Sequence, residues 1–252
     1  MGSAIAMGLA QGTKISAADI VCTAKSASTL ERLQKQCAEI AVTLNNREAA
    51  KAADIVIIAV KPWLVSDIIN EIKEVLDYGK QIVISVAAGV TFDELGKYLT
   101  KEDKLPAMFR VIPNTAIALR NSMTFVASHG ASKCQEATIL GLFDELGCTM
   151  LVEEKLIAAG TALASCGIAY AMRYIRAATE GGVELGFRPA DAQKIVSHTV
   201  KGAAELLLAS GNNPETEIDK VTTPGGITIK GLNEMEEAGF TSAVIRGLKA
   251  SK

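Results

Sequence analysis

Val221-Thr-Thr-Pro-Gly-Gly-Ile-Thr-Ile-Lys-Gly231 is the segment of this chain whose residue types are best suited to chemistry. Pro224-Gly225-Gly226 predicts a tight turn, and the apolar spacing after it predicts a helix. The amides of Gly226, Ile227 and Thr228 would then open onto a helix N-terminus, where free N–H groups and the helix dipole favour a carboxylate. Thr223 and Thr228 add hydroxyls. A Pro-Gly turn with a capping threonine reads the same residues as structure alone, so the segment by itself leaves both readings open.

Three strand ends supply a second constellation. Ile55-Val-Ile-Ile-Ala-Val60 runs directly into Lys61-Pro62, and proline ends strand pairing by removing a donor. Ser85-Val-Ala-Ala-Gly89 places small residues (Ala87, Ala88, Gly89) just past another strand. Arg110-Val-Ile-Pro-Asn-Thr115 ends a third, with Asn114 at its tip. Ligands bind along the carboxyl edge of open α/β sheets, and small residues there leave room for a flat ring. Met1-Gly-Ser-Ala-Ile-Ala-Met-Gly8 has the small residues that let a helix pack closely on a sheet, with Gly2 at its start. Thr23-Ala-Lys-Ser26 follows the next strand with a cation, Lys25, and a hydroxyl, Ser26, where an NAD-specific site would place an acid. That pair suits a 2′-phosphate; a solvated turn is the plain alternative.

Positioning these groups requires a sheet. Short β-branched runs at Asp19–Thr23, Ala41–Thr43, Asp54–Val60, Gln81–Val86, Ala107–Ile112, Thr124–Ala127 and Thr149–Val152 alternate with amphipathic stretches such as Thr29–Cys37, Leu64–Leu76 and Cys134–Leu146. Strand-helix alternation at this spacing predicts a doubly wound, mostly parallel sheet. Beyond about residue 152 only helical spacing remains: Leu156–Ala164, Ile168–Leu185, Ala190–Ser210 and Lys230–Leu248, punctuated by Gly186, Gly211 and Gly239. The helix around Tyr170–Gly186 is apolar over more than half its circumference and calls for cover, most simply from a second copy. The expected organisation is an α/β dinucleotide-binding domain over 1–152 and an all-helical dimerisation and substrate domain over 153–252.

Composition sets limits. Among 252 residues, 49% are hydrophobic and 21% charged, ordinary for a well-cored protein. A net charge of −2 gives no electrostatic reason to expect nucleic acid or an anionic membrane as partner. No run approaches the ~18 consecutive apolar residues of a membrane span. Cys22, Cys37, Cys134, Cys148 and Cys166 form no C-x-x-C pair, and with two histidines they offer no metal-ligand pattern, so a reduced, cytoplasmic protein without a metal is expected. His129 and His198 are expected to face solvent or to be satisfied by neighbours, and Trp63 to lie in the core.

Taken together, the chain resembles the pyrroline-5-carboxylate reductase family over essentially its whole length. The family's A-V-K-P strand end, A-A-G-V segment, N-T after the fifth strand and V-x-S-P-G-G-x-T signature stand here as Ala59-Val-Lys-Pro62, Ala87-Ala-Gly-Val90, Pro113-Asn-Thr115 and Val221-Thr-Thr-Pro-Gly-Gly-Ile-Thr228. The resemblance implies reduction of 1-pyrroline-5-carboxylate to L-proline, the last step of proline biosynthesis, by a homodimer or larger assembly of dimers. NADPH or NADH would lie along Gly2, Lys25, Ser26, Asn46, Val60, Lys61, Pro62, Ala87, Ala88, Gly89 and Asn114. The substrate would meet Thr223, Gly225, Gly226, Ile227 and Thr228, with the Thr228 hydroxyl at the ring nitrogen as the catalytic contact. Two departures stand out. The family's S-G-S-G-P-A-Y stretch is Ala164-Ser-Cys-Gly-Ile-Ala-Tyr170. Of the terminal G-x-G-x-M-G only Met1-Gly2 is present, so the expected Rossmann-like sheet has its first strand missing. A related β-hydroxyacid dehydrogenase or imine reductase, and a non-catalytic dimeric ligand-binding protein, are the alternatives.

Overall fold

The computed structural model describes residues 1–252. In chain order the elements are α1 (Gly2–Ala10), β1 (Val21–Thr23), α2 (Ala27–Gln36), β2 (Ala41–Thr43), α3 (Asn46–Ala52), β3 (Ile55–Ile58), α4 (Val65–Ile72), β4 (Ile82–Ser85), α5 (Phe92–Leu99), β5 (Ala107–Ile112), β6 (Ser122–His129), α6 (Lys133–Asp144), β7 (Gly147–Leu151) and α7 (Ile157–Gly160). A π-helical turn, Thr161–Cys166, leads to α8 (Gly167–Glu184), α9 (Pro189–Ser210), α10 (Pro214–Lys220), α11 (Ile227–Glu237) and α12 (Phe240–Ala250). Each β-branched run became a strand. The expected closing helix is two helices, because Gly239 adopts a left-handed φ of 82° between them.

The chain divides into two compact units, Met1–Ser165 and Cys166–Lys252. Strands stop after Leu151, yet the segment beyond it still packs on the first unit. Ile157 is buried in the same cluster as Val83, Met108 and Ile112.

Within the first unit, β1 and β2 pair in parallel as a two-stranded sheet. The other five strands form a sheet in the order β3-β4-β5-β6-β7, parallel except for the antiparallel β5–β6 pair. β1 and β3 are edge strands of separate sheets. Strands β4 and β5 are buried along their whole length, as near-continuous apolar runs require when both faces are covered. One face carries Ile5 and Leu9 of α1 and Ile139, Leu142 and Phe143 of α6 against Ile82, Ile84, Phe109 and Val111. The opposite face carries Val65, Ile69 and Ile72 of α4 and Phe92, Leu95 and Leu99 of α5. Each such side chain, fully buried, contributes about 1.5–3 kcal/mol.

Trp63 is not core: it is 72% exposed. Pro62 opens a short 3-10 turn, Pro62–Leu64, in which no residue is buried; burial begins only at Val65.

In the helical unit, α8 buries none of its 18 residues within the chain. Met172, Leu185 and Leu208 are among the unit's exposed apolar side chains. The continuous helical stretch Glu154–Glu184, 31 residues, is long and apolar enough to cross a membrane by length and composition. No such stretch was expected from runs of consecutive apolar residues. It arises here because Gly160, Thr161, Ser165, Gly167 and Tyr170 break up the uncharged stretch between Lys155 and Arg173 without lowering its mean hydropathy below that of a span.

Candidate active site

Parallel pairing brings the three strand ends together. Ile58 is in register with Ser85, and Ser85 with Arg110, so the segments beyond them emerge side by side from one edge of the sheet. At that edge Val60 is half-buried, Lys61 and Pro62 are exposed, Ala87 is buried, and Ala88 and Gly89 are exposed. Ala87 N–H donates to Ser85 Oγ at 3.3 Å, which turns the chain at the end of β4. Asn114 is 6% exposed. Its Oδ1 accepts from Ala116 N–H at 2.9 Å, so its carboxamide nitrogen is the end left for a ligand.

Gly2 begins α1 against this edge. A Cβ at Gly2 would stand 3.1 Å from Ala59 Cβ, so the helix start and the end of β3 are in close approach. No side chain caps α1, which leaves its first-turn amides for an anionic ligand.

Lys25 and Ser26 follow β1, as expected. Lys25 is exposed, in no salt bridge, and Ser26 is the N-cap residue of α2 without capping it through its side chain. Ser26 Oγ instead lies 3.0 Å from Thr29 Oγ1 and 3.3 Å from Ser28 Oγ, and Arg32 Nη2 donates to Thr29 Oγ1 at 3.4 Å. Ser28, Thr29 and Arg32 were not singled out from sequence. Their signal was a hydroxyl-rich first turn with an arginine one turn on. Three hydroxyls and two cations at an uncapped helix start match the donor demand of a phosphate monoester. Asn46 is placed differently: its Nδ2 donates to Glu71 Oε2 at 2.9 Å, tying α3 to α4.

The second group of candidates lies in the helical unit. Gly225 has φ 72°, a conformation that side chains disfavour, and it closes the turn before α11. Gly226 N–H donates to Thr223 O at 2.9 Å. That corrects one expectation: the Gly226 amide is spent on the turn and is not open to a carboxylate. Gly226 is nonetheless required sterically, since a Cβ there would meet Thr223 Oγ1 at 2.6 Å. No side chain caps α11, so the amides of Ile227 and Thr228 stand at an unclaimed helix start. Thr223, Ile227 and Thr228 are exposed. The turn thus offers two amides, a helix dipole and two hydroxyls, which suits a small carboxylate.

The residues present therefore fit a nicotinamide dinucleotide in one unit and a small carboxylate in the other. His129 and His198 are both exposed. His129 lies against Phe92, ring centroids 5.5 Å apart. Cys166 is half-buried at the end of the π-helical turn.

Comparison with known proteins finds a match for each half. Residues 154–252 match the family model for pyrroline-5-carboxylate reductase dimerisation, and residues 1–89 match that for NADP oxidoreductase, coenzyme F420-dependent. Pyrroline-5-carboxylate reductase 1 of Dictyostelium discoideum is 40% identical over 263 residues; the match spans 100% of this chain and 47% of that protein. Pyrroline-5-carboxylate reductase 2 of the same organism is 35% identical, with 100% and 87% covered. Among solved structures, Coxiella burnetii pyrroline-5-carboxylate reductase superposes with a TM-score of 0.89 at 27% identity, covering 99% of this chain and 91% of that one. Plasmodium falciparum pyrroline carboxylate reductase with NADP bound gives 0.86 at 25%, covering 100% and 91%. A strand-end edge and a Pro-Gly-Gly helix start, in a chain so aligned along its whole length, leave one conclusion: it belongs to the pyrroline-5-carboxylate reductase family.

Proposed function

We propose that this chain reduces the cyclic imine 1-pyrroline-5-carboxylate to L-proline at the expense of NAD(P)H, the last step of proline biosynthesis. The observation that carries this reading is the uncapped start of α11 behind Pro224-Gly225-Gly226. The Ile227 and Thr228 amides hold the substrate carboxylate there. Thr228 Oγ1 accepts a hydrogen bond from the protonated ring nitrogen, keeping the C=N carbon electrophilic and the proton in place as the bond is reduced. When bound, the reduced nicotinamide supplies the hydride. Gly2, Val60–Pro62, Ala87–Gly89 and Asn114 hold and orient that group along the strand ends. An iminium needs little further acid-base help, so orientation supplies much of the rate.

NADPH is the favoured donor, supported by Lys25, Ser26, Ser28, Thr29 and Arg32 at the end of β1. Residues 1–152 serve the cofactor; residues 153–252 carry the substrate turn and the apolar helices through which copies of the chain associate as dimers or assemblies of dimers. A cytoplasmic setting suits five cysteines that form no disulfide.

The test is spectrophotometric: the imine with NADPH or NADH, following loss of the reduced nicotinamide band and appearance of proline. Oxidation of NADPH that depends on the imine is expected. Proline binding without turnover would support a ligand-binding protein instead.

A further inference from the structure

The peptide group joining Pro113 to Asn114 is held at both of its polar ends by side chains distant in sequence. Ser165 Oγ donates to Pro113 O at 3.1 Å, across 52 residues. Asn114 N–H donates to Ser122 Oγ at 3.0 Å, and Ser122 Oγ lies 2.9 Å from Thr124 Oγ1. Ser122 and Thr124 are essentially fully buried, at 1% and 0% exposure, so the second contact is not shared with water. Between Ser122 and Thr124 either hydroxyl can be the donor, and in the low-dielectric interior such a satisfied pair holds its members firmly.

Ser165 reaches Pro113 because the helix carrying it is irregular. Thr161–Cys166 is π-helical, and Thr161 Oγ1 donates back to Ile157 O at 2.8 Å where the irregularity begins. One extra residue in a turn rotates the residues beyond it by about 100° relative to a regular helix. The stretch before it is fixed on the sheet: Gly160 lies against the Phe125 ring, where a Cβ would come within 2.7 Å, and Ile157 is 2% exposed. With one side pinned, the wide turn delivers Ser165 to the strand end. π-Turns are rare inside helices and frequently lie at functional sites.

We propose that Ser165 is a positioning residue of the cofactor edge. With Ser122 it clamps the Pro113–Asn114 peptide and so fixes the Asn114 carboxamide at the end of β5. Asn114 then has one remaining freedom, its side-chain torsions, and Ala116 N–H limits those by binding Oδ1. Ser165 acts through Asn114 and touches neither cofactor nor substrate. The inference rests on reading this edge as the cofactor side.

The test uses the full chain with Ser165→Ala, Ser165→Val, Ser165→Thr and Ser122→Ala. Threonine and valine have the same shape and differ in the hydroxyl. Three quantities are read: NADPH affinity by fluorescence, the KM for the imine, and amide exchange at Asn114 in the cofactor-free chain. Loss of the hydroxyl should weaken NADPH roughly fivefold to tenfold, the effect of one hydrogen bond. The imine KM should stay within about twofold and Asn114 exchange should speed up. Ser165→Thr should behave as the parent chain. Ser165→Ala with Ser122→Ala should lose less than the product of the two single effects, because both act on one peptide. Unchanged NADPH affinity in Ser165→Val overturns the inference alone. Equal losses in cofactor and imine binding, or a valine chain that does not fold while the threonine chain does, make the contact a general structural one and also overturn it. A parent chain that binds neither reduced cofactor overturns the reading of the edge and this inference together.

Discussion

Arg110 Nη1 donates to Glu154 Oε1 at 2.7 Å, and the same carboxylate oxygen accepts Phe92 N–H at 2.7 Å. One carboxylate therefore ties β5 to the first turn of α5 and to the segment after β7. The Arg110 side chain is 7% exposed and its Nε has no partner, whereas Glu154 is 36% exposed. The two ends are unequal: removing Glu154 strands a buried cation, while removing Arg110 leaves a carboxylate that water can reach. Glu154→Ala should cost about 2–4 kcal/mol, somewhat under the usual range for breaking a buried pair because Glu154 is partly solvated. Arg110→Met with Glu154→Ala should recover part of that loss. Denaturant unfolding of the single and double variants measures it, and a double variant no more stable than Glu154→Ala would contradict the argument.

Cofactor choice follows from the end of β1. Lys25→Glu replaces the exposed cation nearest the end of β1 with an anion that repels a 2′-phosphate. NADPH affinity should fall by about 1–3 kcal/mol through lost charge-assisted hydrogen bonding, with NADH affected much less. Titration of both cofactors against the variant reads the difference directly. An NADPH affinity that does not move removes Lys25 from the site.

The strands were legible because each is a β-branched run between turn residues, and burial of both faces left no competing helical spacing in Ile82–Ser85 or Ala107–Ile112. Helices α3 and α5 were missed although their starts were written in the chain. Asn45 caps Glu48 N–H, and Thr91 forms a reciprocal capping box with Glu94. Both helices are short, seven and eight residues, and the neighbouring strands dominated the apolar pattern. The strand-end residues and the Pro-Gly-Gly turn were readable because glycine and proline report backbone demands locally. Ser165 was not readable: its contact with Pro113 spans 52 residues and depends on a π-turn that no local residue type announces. The sequence suggests a free amide at Gly226, but that N–H donates to Thr223 O, since which amide a turn consumes is decided by backbone geometry alone.

The substrate turn yields a graded pair of variants. Thr228→Ala removes a hydroxyl without closing space, and catalytic efficiency should fall roughly tenfold to a hundredfold, the cost of one hydrogen bond to a charged group. Gly226→Val should be worse, because its side chain would enter the space held by Thr223 Oγ1 and spread the turn. Steady-state kinetics with the imine separates them. Full activity in both would place the carboxylate elsewhere.

Self-association should be strong. Helix α8 buries nothing within its own chain, and the helical residues match a dimerisation family. An apolar interface well above ~2,000 Å² is expected. Light scattering at micromolar concentration should give at least a dimer. Met172→Glu, which sets a charge on an exposed apolar position of α8, should shift the population toward monomer. A monomeric parent chain sinks this expectation.

Glu145 gives the last prediction, a dependence on pH. Its carboxylate accepts Thr13 N–H at 2.5 Å, the Thr13 hydroxyl at 2.8 Å and Lys14 N–H at 3.3 Å, holding the loop after α1 to the end of α6. The Thr13 backbone hydrogen bond is the main reason its carboxyl lies below the usual glutamate range; nearby Arg120 adds to the effect. All of these contacts favour the charged form. A carboxyl whose folded pKa is depressed contributes stability that is fully present above its unfolded value, about 4.3, and is lost as pH falls through the folded value. Glu145→Gln keeps the shape and one acceptor but not the charge. At neutral pH it should cost about 1 kcal/mol, toward the low end for hydrogen bonds to a charged group because the carboxylate is open to solvent on one side. Below about pH 4 the parent's advantage should shrink toward zero as its own carboxyl becomes protonated. Thermal melts of both chains between neutral and acidic pH show whether the curves converge. A stability gap that stays constant across that range would mean the charge contributes nothing and the packing of the side chain accounts for the difference.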